Sequence, residues 1–158
     1  MVYRPPGRYF EEFEVGDEYD TVSRTITETD ITNFAGVSAD FNQLHTDVEF
    51  SRKTPFKQRI AHGLLGLAFV SGLVGRSGLI EGTTFAFLEI TSWRFLGPNF
   101  IGDTVTTKVK VVSKKETKKE DRGVVTFEIS LVNQRNEVTQ QGLWTIMMLR
   151  KSEQEEVK

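Results

Sequence analysis

From Thr27 onward the rhythm of apolar and polar residues changes once, from helical spacing to alternation. Ile31, Phe34, Ala35 and Ser38 recur at helical spacing behind Thr27-Glu28-Thr29-Asp30, which has the form of a capping box, so a short helix is predicted to end near Ala39. Asp47 is placed to cap a second short helix running to Arg52, with Pro55 stopping it. Over residues 62–76 the apolar side chains of Leu64, Leu65, Leu67, Phe69, Val70, Leu73 and Val74 cover nearly every side, which predicts a buried helix. Gly63, Gly66, Gly72 and Gly75 each cost about 1 kcal/mol against alanine in such a helix, so close-packing neighbours are expected there.

Beyond Gly82 strands are predicted over residues 85–90, 92–96, 104–112, 124–132 and 138–149, with a turn at Gly97-Pro98-Asn99. Val105, Thr107, Val109 and Val111 alternate with Thr106, Lys108 and Lys110, and the connections have hairpin length, so the sheet is expected to be antiparallel. An earlier strand is read over residues 20–26, after an arm whose Tyr9, Phe10 and Phe13 tuck inward. One apolar helix between a lone strand and a meander is buried only if the sheet curls around it. The expectation is an α+β domain with a strongly curved antiparallel sheet.

At 158 residues without an internal repeat, the chain suits a single domain, with a core over about residues 8–149 and an acidic, frayed tail over 151–158. Hydrophobic residues at 38% and charged ones at 27% describe a globular protein, and a net charge of −2 provides no pull toward nucleic acid or membrane. Cysteine is absent, which excludes disulfides, thiolate nucleophiles and cysteine-bound zinc. The first 17 residues hold no apolar leader, and the apolar run over 60–74 falls short of the roughly 20 residues that span a bilayer, so a cytoplasmic location is expected.

Chemistry concentrates in Asp40-Phe41-Asn42-Gln43-Leu44-His45 and Ile60-Ala61-His62-Gly63, which contain both histidines. The first stretch is read as a loop, where Asp40 and His45 can turn toward a common point. A carboxylate and an imidazole sharing one water divide the acid and base work of adding water to a polarised double bond. Asn42 has an amide to donate, and Gly63 opens the long helix, whose free N–H groups favour a developing oxyanion. Plainer readings stand beside these: an Asp-x-Asn loop is often only a turn, His62 a structural residue bonded to backbone, and Ser71 a hydroxyl bonded one helical turn back. Arg52, Lys53, Lys57 and Arg59 are normally a solvated face, and are also candidates to receive a phosphate-bearing tail, with His62 a further candidate substrate-binding residue. The chain has no HxH, HExxH or acid cluster, so no metal is expected.

Four segments, YFEEFEVGDEY, FAGVSADFNQLHTD, IAHGLL and FLGPNFIGDTV, together resemble the MaoC-like dehydratases, best known as (R)-specific enoyl-CoA hydratases. The resemblance implies a hot-dog fold, with a curved antiparallel sheet around one long helix. It matches Asp40 and His45 to the catalytic pair, Asn42 to the polar residue between them, Gly63 to the backbone oxyanion donor, and Ser71 to a hydroxyl supporting the aspartate. It further implies a homodimer, in some members a trimer of dimers, acting on acyl-CoA without a cofactor. Gln43 departs from the pattern, because several relatives have proline there. The expected activity is reversible hydration of a trans-2-enoyl-CoA to an (R)-3-hydroxyacyl-CoA. An acyl-CoA thioesterase and a non-catalytic acyl-CoA-binding module are the alternatives.

Overall fold

The computed structural model describes residues 6–151, so the expected acidic tail beyond Lys151 lies outside the described residues. The chain opens with a short 3-10 turn, Phe10–Glu12, and two short strands, β1 (Glu18–Asp20) and β2 (Arg24–Thr25). Four helices follow: α1 (Glu28–Ser38), α2 (Gln43–Thr46), α3 (Val48–Arg52) and α4 (Gly63–Gly75). Four long strands complete it: β3 (Thr84–Phe95), β4 (Thr104–Glu116), β5 (Arg122–Asn133) and β6 (Val138–Leu149). Of these, β4, β5 and β6 form a meander while β3 pairs with β6, so the turn after β3 does not close a hairpin. All pairings are antiparallel, in the order β1-β4-β5-β6-β3, with β2 also on β4.

Two strand expectations need correction. The strand read over 20–26 is split, because the N–H of Thr107 donates to the Thr21 hydroxyl at 3.0 Å instead of a main-chain carbonyl, and the ladder breaks there. Conversely, the break expected near residue 91 is a bulge inside one continuous β3, which shifts register between Thr91 and Arg94 and holds Ser92 at φ 54°. Such bulges bend a strand and increase its twist.

The concave face holds the core. Leu65, Phe69, Val70 and Val74 of α4 are buried with Val109, Phe127, Ile129 and Ile146 of the strands, and Phe10 and Phe13 of the arm join them. The opposite face of α4 is not covered among the described residues: Leu64 is 60% exposed, and Ala68 and Ser71 are exposed beside it. The helix is therefore not buried on all sides, as its composition suggests.

The helix glycines divide in the same way. A Cβ on Gly66 would stand 2.1 Å from Nε2 of Gln140, and one on Gly63 would stand 2.8 Å from the Phe95 ring, whereas Gly72 and Gly75 face open space. Close approach explains the first two glycines and not the last two. No helix among the described residues is long and apolar enough to cross a membrane.

Candidate active site

Local chemistry brings Asp40 and His45 together. The Thr27 hydroxyl and the Asp30 carboxylate form the expected capping box at the start of α1, which terminates at Ala39 in the left-handed region, φ 60°. That residue turns the chain sharply, and Asp40 emerges beyond it. Its carboxylate accepts from the N–H of Asn42 at 3.2 Å. The Oδ1 of Asn42 then accepts from the N–H of Leu44 at 3.0 Å, so Asn42 is the N-cap of α2. The stretch read as a loop is thus partly a helical turn, and a cap of this kind is worth about 1 kcal/mol. Asn42 fixes the turn that carries His45.

His45, 9% exposed, places its Nδ1 2.8 Å from the carbonyl oxygen of Ile60. A carbonyl only accepts, so Nδ1 holds the proton and Nε2 is left as the exchangeable nitrogen. His62, 2% exposed, places Nε2 2.9 Å from the Asp40 carbonyl and therefore donates from it. The two imidazoles lie against each other, with centroids 3.9 Å apart and planes 31° apart, and Phe34 covers His62 at 5.0 Å. Burial pushes the pKa of His62 below the ordinary histidine value, and the neighbouring His45 acts in the same direction. Ring nitrogens of both histidines and a carboxylate oxygen of Asp40 lie within 4.8 Å of one another.

Such a cluster has the composition of a metal site, but its geometry suits one poorly. Imidazole lone pairs lie in the ring planes, and with these two rings overlapping at a tilt of only 31° the lone pairs run side by side more than toward one ion at the roughly 2.0–2.1 Å that nitrogen ligation needs.

Beside the pair opens a cavity of about 460 Å³, walled by His45, Phe56, Ile60, Ala61, Gly63, Phe95, Pro98, Asn99 and Gln140 among others. The first N–H groups of α4 have no acceptor within the helix, and Gly63, which opens it, lies at this mouth. Asp40 is exposed and outside the cavity wall, close to its histidines. A larger depression of about 550 Å³ over β1 and β4 is lined by charges that satisfy one another, such as Lys110 and Glu18 at 2.7 Å, and holds no comparable chemistry.

The remaining sequence candidates lie elsewhere. Ser71 sits in an apolar groove with Leu64, Leu67, Phe87, Ile90 and Trp144, away from the cavity wall. Both terminal guanidinium nitrogens of Arg59 bind the Glu28 carboxylate at 2.6 Å, and Arg52 binds Glu49 at 2.5 Å. Lys57 is exposed at φ 62° beside Phe56 of the wall.

Sequence reasoning missed Phe95, Asn99 and Gln140. Gln140, buried in β6, donates to the carbonyl of Gly63 at 3.0 Å and accepts from the Trp93 indole at 3.2 Å. Asn99 accepts through its main-chain oxygen from the N–H of Ala61 at 2.8 Å, and its side-chain oxygen is buried without a partner among the described residues. The bare positions at Gly63 and Gly66 were the available signal, since each marks where one of these side chains lies.

A family model described as MaoC like domain matches residues 11–133. The (R)-specific enoyl-CoA hydratase of Rhodospirillum rubrum is 38% identical over 111 residues, which is 70% of this chain and 74% of that protein. A solved structure described as a monoamine oxidase regulatory protein from Archaeoglobus fulgidus is 40% identical, with a TM-score of 0.84, covering 92% of this chain and 97% of the other. A Mycobacterium tuberculosis protein described as a double hotdog fold superposes with a TM-score of 0.80 at 17% identity, over 94% of this chain and 46% of its own. The fold is the hot-dog, as the sequence motifs implied.

Proposed function

Since this chain belongs to the MaoC-like domain family, we propose that it is a hydro-lyase adding water reversibly to a trans-2-enoyl-CoA to give an (R)-3-hydroxyacyl-CoA. The observation that carries the reading is the meeting of the Asp40 carboxylate with His45, whose Nδ1 is committed to Ile60, beside the free N–H groups of a bare helix start.

Water sits between Asp40 and Nε2 of His45. As its oxygen bonds to C3 of the enoyl group, one member of the pair takes a water proton and the other delivers a proton to C2, so the pair ends with its proton exchanged. The thioester oxygen gathers charge in that transition state, and main-chain N–H at Gly63 is the donor placed for it. No step calls on a metal or a redox group. The similarity to a protein named as an (R)-specific enoyl-CoA hydratase supports both the reaction and its hand.

The working unit in this reading is a homodimer. Strand β3 is a sheet edge bearing Phe85, Phe87, Leu88 and Ile90, each at least 40% exposed. With the bare face of α4 it forms an apolar groove of about 390 Å³. A long apolar edge of this kind calls for a partner, and a second copy paired along β3 covers it.

Incubation with trans-2-enoyl-CoA thioesters of several lengths tests the reaction. Loss of enoyl absorbance without release of thiol, abolished in Asp40→Asn, is the expected result. Thiol release instead identifies a thioesterase. Binding without turnover identifies the non-catalytic reading, which the name of the Archaeoglobus relative favours.

A further inference from the structure

The structure assigns His62 a positioning role: it ties the Asp40 connector and the His45 ring to the first turn of α4, setting the distance between the proton-transfer pair and the oxyanion donor. The inference rests on the hydration reading.

The three chemical parts of the site come from separate segments. Asp40 lies on the connector after α1, His45 on α2, and the helix N–H groups on α4. His62 meets all three. It directly precedes Gly63, its Nε2–H reaches the Asp40 carbonyl at 2.9 Å, and its ring lies 3.9 Å from that of His45.

The connector needs such a tie. The other hydrogen bonds on its backbone are local ones: Asp40 N–H to the Ser38 hydroxyl, Asn42 N–H to the Asp40 carboxylate, Phe41 N–H to the Ala39 carbonyl and, from α2, the Thr46 hydroxyl to the Phe41 and Asn42 carbonyls and His45 N–H to the Asn42 carbonyl. Among the described residues, the bond from His62 is the one that joins residues 39–42 to a distant element. Without it, the exposed aspartate is held only by the turns on either side of it.

Packing alone does not explain an imidazole at this position. The ring is buried between Phe34 and His45, and its Nδ1 has no hydrogen-bond partner among the described residues. A phenyl ring would fill the same space without burying an unpaired nitrogen, an arrangement native structures seldom keep without reason. What phenyl lacks is the Nε2–H donor. Because the carbonyl fixes the proton on Nε2 and burial disfavours a second one, His62 stays a neutral donor beside His45 instead of becoming a competing acid.

Three variants separate the donor from the ring. In His62→Gln the amide nitrogen reaches the place of Nε2; in His62→Asn it reaches only the place of Nδ1; His62→Phe keeps the ring and loses both nitrogens. With trans-2-butenoyl-CoA, Asn and Phe are expected to lower kcat on the order of 100-fold with KM within about threefold, whereas Gln stays within about tenfold of wild type. Amide exchange over residues 39–46, read by mass spectrometry on the same proteins, is expected to quicken in Asn and Phe and not in Gln. Wild-type kcat in Asn or Phe, losses in Gln equal to those in Phe, or exchange unchanged in all three overturns the role. Absence of turnover in the wild type instead refutes the hydration reading, and the exchange measurement still decides whether His62 holds the connector.

Discussion

Nδ1 of His45 is spent on the carbonyl of Ile60, 2.8 Å away, which leaves Nε2 as the atom that exchanges protons. In His45→Asn the side-chain amide stands near the place of Nδ1 and still donates to Ile60, while nothing occupies the place of Nε2. Loss of general acid–base work is worth about 100- to 10,000-fold, so kcat is expected to fall in that range. The melting temperature should move by only a few degrees. Wild-type turnover removes His45 from the chemistry, and a collapsed fold shows that its ring is chiefly a packing element.

The two close-approach glycines of α4 are expected to respond differently to alanine. At Gly63 the new methyl meets the Phe95 ring, which is 55% exposed and free to swing away. At Gly66 it meets the amide of Gln140, which is buried and bonded at both ends. Gly66→Ala should therefore show the overpacking cost of about 1–3 kcal/mol, whereas Gly63→Ala should lose little stability and instead disturb catalysis through the displaced wall residue. Denaturant unfolding and steady-state kinetics on both variants check this. Equal destabilisation of the two would mean that Phe95 is not free to move.

Asp103 gives the chain a predicted acid sensitivity. Its burial favours the neutral acid, but Gln134, the Phe100 N–H and Arg135 all bond the carboxylate, and together they hold its pKa below the usual carboxylate value. A group whose folded pKa is depressed contributes stability that is present above its unfolded value near 3.9 and is lost as pH falls through the folded one. Asp103→Asn should flatten that part of the stability curve. It should also loosen the turn carrying Asn99 into the cavity wall. A melting-temperature profile below pH 5 with the same slope in both proteins contradicts the assignment.

How much of this was legible in the sequence depended on distance along the chain. The Thr27–Asp30 box, the Asp47 cap and the alternation of Val105 to Val111 are local patterns, and the structure contains them as read. The Asp40 and His45 neighbourhood was legible because both residues lie in one short stretch. Phe95, Asn99 and Gln140 reach the same cavity from strands and a turn far along the chain, and no spacing rule announces them. The bare face of α4 was misread for a related reason. Its composition states that the face must be covered, and does not state whether the cover belongs to the same chain.

The exposed groove settles that last question experimentally. Leu64, at 60% exposure, makes little contact within its own chain, so Leu64→Arg should leave the single chain's melting behaviour nearly unchanged. If a second copy covers α4 and β3, the same substitution buries an unpaired charge in the contact, a change that costs several kcal/mol and splits the assembly. Ile90→Arg on β3, in the same groove, should do likewise. Sedimentation of wild type as two chains and of both variants as one is the expected outcome. A wild type that sediments as a single chain, or variants that remain paired, places the contact on another surface.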